Sequence, residues 1–512
     1  MMDTVTDLVR CVALVGVVVA LLSLLRSRRA GARLPPGPPA SLWSGASYIP
    51  TQHPWRKLKE YTDTYGDLVT VQLGHGRHLF VCGTATSADA ILNKQSGATN
   101  GRPHLIMAGD LLSGGKRLLI IDHGDRFRKY RKIMHESLNN TVAVNYEGIQ
   151  EKEATLTLEA IGQDPGNFRR QFGRYAASAI MTITYDHPVR SLDDPLVVRV
   201  NECLGALGEW INPAASPLDS YPILRYVPTA INPWKKLGER LHKRELNLFL
   251  EVYRDVRRQA QAGKAQTCFA SQLQERQQEY GLSDEEACYV AGSLFGAGSD
   301  TTASALAIFV MAMITHPRVM KKAQEELDRV VGPGRLPAFS DFDDLVYVRA
   351  LCQEVSRWRP VSSGGFRHSL TEDVHYKGFV LPKGSAVVGN HWSIHLDPQE
   401  YPNPDEFKPE RFLSDDGASV KGTWFSPKGH YQFGFGRRVC VGSNVAERSI
   451  FINAAMLLWA LDMRAPNNDV ASVDTLAFNS AANSHPLPFD ADIKYRSERH
   501  KAVVQEARSS ID

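Results

Sequence analysis

From Ser283 to about Thr315 the chain reads as one uninterrupted helix whose apolar residues fall nearly all round it rather than along one stripe. Ser283-Asp284-Glu285-Glu286 makes a capping box at its start, and His316-Pro317 stops it. At 1.5 Å per residue such a helix is roughly 45–50 Å long, enough to cross a whole domain. A helix that is apolar on every face belongs in an interior. The segment therefore predicts a central buried helix inside a large, mainly α-helical domain.

Within it lies Gly296-Ala297-Gly298-Ser299-Asp300-Thr301-Thr302. Each glycine costs about 1 kcal/mol relative to alanine in a helix, and an aspartate is costly to bury without a partner. Local rules broken together at one place in a good helix point to a site. The expectation is that the glycines let the helix loosen over a flat ligand and accept a small molecule. Thr301 then offers a hydroxyl, and Asp300 links it to a proton source. The alternative is a packing groove with an aspartate that reaches the surface.

No repeat or low-complexity tract interrupts residues 40–512. Leu68–Leu73 and His78–Val81 alternate around Gly74-His75-Gly76 as a hairpin does, and extended character returns in Val374–Val380 and Ala386–Val388. The fold class is mainly α with small β-sheets. A net charge of +3 over 512 residues, with no basic run interleaved with aromatics beyond the N-terminal flank, argues against a nucleic-acid partner. The seven cysteines are scattered and never spaced Cys-x-x-Cys, which disfavours a disulfide framework or a zinc site and suits a reducing compartment.

One cysteine stands apart. Residues 433–442 read Phe-Gly-Phe-Gly-Arg-Arg-Val-Cys-Val-Gly, placing Cys440 among glycines just after Arg437 and Arg438. Glycines let backbone N–H groups approach a sulfur, and neighbouring guanidinium groups favour thiolate over thiol. A thiolate so held suits a haem iron, whereas a shorter pattern would suggest only a buried structural cysteine. At the other end, Cys11–Leu25 is almost unbroken apolar sequence, lengthened by Val5–Val9 and followed by Arg26, Arg28, Arg29 and Arg33. Positive charge after the apolar run predicts a single-pass signal anchor that leaves the main domain in the cytosol. The organisation expected is an anchor over 1–30, a proline-rich hinge over 31–40 and a catalytic domain over 41–512.

The ten residues around Cys440 and the segment Ala297–Thr302 resemble the haem-binding loop and the oxygen-binding motif of the cytochrome P-450 family. Two more motifs occur in the family's order. Glu354 and Arg357, three apart on the helical stretch Leu345–Trp358, resemble its Glu-x-x-Arg pair, completed by Arg411 in Pro409-Glu410-Arg411-Phe412. Phe127 to Arg131 resembles its Trp-x-x-x-Arg, with Phe127 replacing tryptophan and so lacking the indole N–H. The resemblance covers about residues 34–495.

What it implies is a microsomal-type, fungal-like P-450 fold holding haem b between the long helix and the Cys440 loop. Cys440 is then the iron ligand, and Asp300 and Thr301 are the catalytic proton carriers. Arg131, His368 (with Arg367 as the other choice), Arg438 and Phe433 become cofactor-binding residues, and Glu354, Arg357 and Arg411 a structural triad. The implied activity is a monooxygenase that uses O₂ and electrons from NADPH through a separate reductase on the endoplasmic reticulum membrane. Lys428, Arg437 and Arg438 suit that partner's docking face. A haem-thiolate isomerase or dehydratase that does not use O₂ has no need of Asp300-Thr301, and a non-catalytic haem sensor is the remaining alternative.

The lining segments implied by analogy are Arg102–Leu119, Ser293–Ala297, Val361–Phe366 and Asn479–Asn483. They are mostly apolar, with room near Gly364, and suit a lipophilic terpenoid, polyketide or aromatic substrate of the kind made in secondary metabolism.

Overall fold

The computed structural model describes residues 33–74, 76–212, 215–264, 266–422 and 429–511. The expected anchor over 1–30 and Lys428 lie outside them. The described residues fall into two compact units, one within 33–101, 364–400 and 435–438, the other within 102–363, 401–434 and 439–511.

The first unit carries helix α1 (Pro54–Tyr65) and strands β1 (Leu68–Gln72), β2 (His78–Cys82), β3 (His368–Ser369), β4 (Val374–Tyr376), β5 (Phe379–Leu381) and β6 (Ala386–Gly389). β1 and β2 form the expected hairpin, running from Leu68 opposite Cys82 to Gln72 opposite His78. β2 then pairs in parallel with β6, and β6 antiparallel with β3. Leu58, Val69, Val71, Leu79, Val81 and Val388 make one apolar cluster on this sheet. The stretch Val374–Val380, expected as one extended segment, instead folds back on itself as β4 and β5. Lys377 and Gly378 both have positive φ there, 46° and 78°, which is what a two-residue primed hairpin turn requires. The proline-rich segment is fastened to the sheet: the N–H of Thr70 donates to the carbonyl of Pro36 at 2.9 Å and its hydroxyl to that of Pro35 at 2.7 Å.

Helices of ten residues or more in the second unit are α2 (Asp125–Leu138), α3 (Glu147–Gln163), α4 (Phe168–Tyr185), α5 (Pro195–Trp210), α6 (Pro233–Gln261), α7 (Asp284–Thr315), α8 (Pro317–Val330), α9 (Val346–Trp358), α10 (Ser443–Ala460) and α11 (Glu498–Ser509). A two-stranded sheet, β7 (Leu461–Arg464) with β8 (Asp492–Tyr495), completes it. The capping box opens α7 as expected, Ser283 Oγ accepting the N–H of Glu286 and Glu286 Oε2 accepting the N–H of Ser283. By length and composition α7 could span a membrane, but most of it is buried as a core helix of this unit.

Two apolar clusters hold α7. Ala287–Ala291, Leu294 and Phe295 belong to one, with α4 and α6; Ala305–Ile314 belong to the other, with α3, α9 and α10. Residues 296–302 belong to neither. The site-like sequence thus fills the interval between two oily ends.

Candidate functional site

The expected loosening of α7 does not occur: the helix runs unbroken through Gly296 and Gly298. Their role is close packing. A Cβ on Gly296 would come within 2.7 Å of Leu204 Cδ2 on α5, and one on Gly298 within 2.8 Å of Ile180 Cγ1 on α4. The glycines let a neighbouring helix approach α7 closely at each of two positions, so its roughly 1 kcal/mol propensity penalty per glycine is offset by contact.

Within the interval Ser299 and Thr302 are buried, but one face is open. Ala297 is exposed, and Ser293 and Thr301, four residues to either side on the same face, are partly open. Thr301 Oγ1 donates to the carbonyl of Ala297 at 2.8 Å. Asp300 engages a turn near the C-terminus, where its Oδ1 lies 2.7 Å from Nε2 of His485 and its Oδ2 accepts a longer bond from Asn483 Nδ2 at 3.4 Å. Asp300 and Thr301 are adjacent in sequence but directed to different partners. Sequence reasoning missed His485, which lies just beyond the Asn479–Asn483 segment.

Cys440 stands three residues before α10, and α10 packs against α7 in the same unit. Its own N–H donates to the carbonyl of Phe433 at 2.8 Å. The sulfur is solvent-accessible, yet desolvation dominates its titration and pushes the thiol up; backbone N–H groups of Gly442 and Ser443 and the guanidinium of Arg131 pull the other way. The cysteine is thus accessible at its surface while the protein atoms around it strip most of its solvation. The cation acting on it is Arg131, not the preceding Arg437 and Arg438, because Arg131 reaches over from α2 and donates to the Val439 carbonyl. Burial outweighs those donors, which leaves deprotonation to a metal, since a coordinating thiol loses its proton outright.

Glu447, on α10, is a second group the sequence reading missed. It is 3% exposed, and its Oε1 has no hydrogen-bond partner among the described residues. Burial first, then the nearby Cys440, holds its carboxyl well above the usual range. A carboxyl whose folded pKa is raised leaves stability intact below the unfolded value of about 4.3 and erodes it as pH rises. Glu447→Gln is therefore expected to leave the thermal midpoint near wild type at pH 4 and to raise it at pH 8. Thermal denaturation at the two pH values checks this, and an equal change at both would exclude the buried neutral acid.

Each unit holds buried or half-buried basic side chains. In the second unit, burial pushes Arg102 down to about 10, and its Nε donates to the Leu119 carbonyl at 2.9 Å. Arg131 is likewise lowered by burial. In the first unit, Nδ1 of His368 donates to the carbonyl of Thr99 at 2.7 Å, and Nε of Arg438 donates to that of Asn100 at 2.7 Å. Arg367, beside His368, is lowered by burial. Arg437 is exposed.

Glu354, Arg357 and Arg411 lie in one network in the second unit. Arg357 donates to both carboxylate oxygens of Glu354 at 2.7 and 2.8 Å, and Arg411 Nε donates to Oε1 at 3.1 Å. Glu354 Oε1 also accepts the N–H of Lys408 at 2.8 Å. The guanidinium groups continue to the carbonyls of Pro402, Pro404 and Glu406, so the network grips a loop by its backbone.

An accessible but desolvated cysteine, a core helix opened at one face, and buried cations fit a haem held through sulfur with its carboxylates neutralised. Comparison with known proteins agrees with that geometry. The family model for cytochrome P450 matches residues 35–487. Cytochrome P450 monooxygenase 88 of Postia placenta is 39% identical over 97% of this chain and 98% of its own length, and monooxygenase 64 of the same fungus is 39% identical over the same shares. Cytochrome P450 monooxygenase virE of Hypocrea virens is 33% identical over 97% of this chain and 92% of its own. The chain belongs to the cytochrome P450 family. It is accordingly a haem-thiolate oxidoreductase of monooxygenase type, and the family works with haem b iron and electrons from a redox partner.

Proposed function

We propose that this chain is a membrane-anchored monooxygenase of the endoplasmic reticulum, its catalytic domain in the cytosol. It takes electrons from NADPH through a separate reductase and hydroxylates a lipophilic terpenoid, polyketide or aromatic molecule in secondary metabolism. The observation that carries the reading is Cys440, accessible yet desolvated three residues before α10. When bound, the haem supplies the activation of O₂.

Cys440 is its ligand, and the N–H groups of Gly442 and Ser443 restrain the sulfur's charge. Phe433 fixes the loop through its carbonyl. Arg131, His368 and Arg438 hold the haem carboxylates, with Arg102 and Arg367 as further cations of suitable burial. Thr301 presents a hydroxyl toward the open face of α7, and Asp300 replenishes its proton, the two acting as a general acid through water. The triad of Glu354, Arg357 and Arg411 holds the fold around the cofactor and takes no part in chemistry. The π-helix Ile106–Leu112, whose first N–H groups are accepted by the buried Asp219, supplies apolar lining near the substrate.

The test is the carbon monoxide difference spectrum of the reduced protein, followed by NADPH consumption and oxygenated product in reductase-containing membranes. A thiolate-haem band with no NADPH-dependent turnover would favour an isomerase and overturn the monooxygenase reading. Thr301→Ala is expected to keep the band while releasing severalfold more hydrogen peroxide per NADPH; unchanged peroxide would remove Thr301 from proton transfer.

A further inference from the structure

Asp300 is held from outside its own helix. The turn 479–485 closes on itself, the N–H of Asn479 donating to the carbonyl of His485 at 2.9 Å and Asn479 Oδ1 accepting the N–H of His485 at 3.1 Å. It is fastened to α7 through Ser304 Oγ, which donates to the carbonyl of Ser484 at 2.6 Å. It is fastened to the chain after α9 through the N–H of Ser484, which donates to the carbonyl of Val361 at 2.7 Å, and through Ser362 Oγ, which donates to Asn483 Oδ1 at 2.9 Å. Ser484 is fully buried, so this anchorage is shielded from water. Ser304 lies four residues after Asp300, on the same face of α7. One turn therefore grips that face at two successive levels, by backbone at Ser304 and by the side chains of His485 and Asn483 at Asp300.

We propose that His485, assisted by Asn483, is a positioning residue for Asp300, holding its carboxylate in a single orientation on this face of α7 for proton delivery. The proposal rests on the reading of Asp300 as a proton carrier. Nearly half of the Asp300 side chain is open, 45%, and an acid that is not held would spend its time in orientations that do not reach Thr301. Asn483 contributes less, its bond being the longer. The consequence is a division of electrons. Without added substrate, NADPH, O₂ and a proton give NADP⁺ and hydrogen peroxide when protons arrive late. Two NADPH, O₂ and two protons give two NADP⁺ and two waters when they arrive in time.

The experiment uses the full-length haem-loaded chain in membranes with reductase, and measures NADPH consumed and peroxide formed without added substrate. His485→Leu is expected to raise the peroxide share severalfold, His485→Gln to restore it by supplying an N–H at similar reach, and Asp300→Asn to raise it with no further rise when combined with His485→Leu. Thermal midpoints of the same four proteins give a readout independent of turnover: the loss caused by His485→Leu should shrink in the Asp300→Asn background. If Asp300→Asn raises peroxide and His485→Leu does not, or if His485→Gln behaves like His485→Leu, the positioning role is overturned while the proton-carrier reading stands. If Asp300→Asn itself leaves the peroxide share unchanged, the underlying reading falls.

Discussion

Arg357→Ala is expected to give little soluble, haem-bearing protein, with the remainder melting many degrees below wild type. Both Arg357 and Glu354 are completely buried. Truncating the arginine leaves a carboxylate in the interior with only Arg411 and the N–H of Lys408 to answer it. It also strips the carbonyls of Pro404 and Glu406 of a shared donor. Removing one member of a buried pair typically costs 3–5 kcal/mol, roughly a third or more of a domain's stability. Arg357→Lys should recover little, since an ammonium cannot form the two-pronged bond and reach both carbonyls at once. The paired change Glu354→Leu with Arg357→Leu should destabilise less than Arg357→Ala, because no buried charge is left alone. Thermal unfolding and haem content per polypeptide check the series. A midpoint for Arg357→Ala within a degree or two of wild type would show that the loop from Pro402 to Glu406 holds without this network.

What the sequence disclosed and what it concealed divide along the distance over which the causes act. Helix α7 could be bounded because its start is a four-residue capping box and its stop a histidine–proline step, both local. The β1–β2 hairpin was legible for the same reason. The turn at Lys377-Gly378 was missed although a glycine marked it, because the flanking residues kept an extended character on both sides. The parallel pairing of β2 with β6 joins residues some three hundred positions apart, where no local pattern carries the register. At the site, Cys440, Asp300 and Thr301 announced themselves by breaking local rules. Their surroundings did not. That glycines in α7 serve Leu204 and Ile180 rather than a flexible helix depends on the approach of α4 and α5. That Cys440 is answered by Arg131, and Asp300 by His485, depends on segments brought in from far along the chain. One signal was available for His485: a histidine beside a stretch already assigned to the lining, followed by proline, in a turn otherwise made of small residues.

Cys440→Ala is expected to abolish turnover and the thiolate-haem band while leaving the polypeptide able to fold. The side chain bears on no buried ion pair, and alanine keeps the backbone N–H that donates to the Phe433 carbonyl. The loss is thus one of cofactor linkage. A ligand present at a hundred times its dissociation constant stabilises the folded state by about 2.7 kcal/mol, and a variant that has lost its ligand bond forfeits that contribution. The signature is a thermal midpoint that rises with added haem in the wild type and stays flat in Cys440→Ala, with the two apoproteins melting close together. Arg357→Ala should do the opposite, lowering the apoprotein midpoint itself. Together the two variants separate holding the fold from holding the iron, and a Cys440→Ala protein that retained both the band and haem-dependent stabilisation would move the ligand to some other residue.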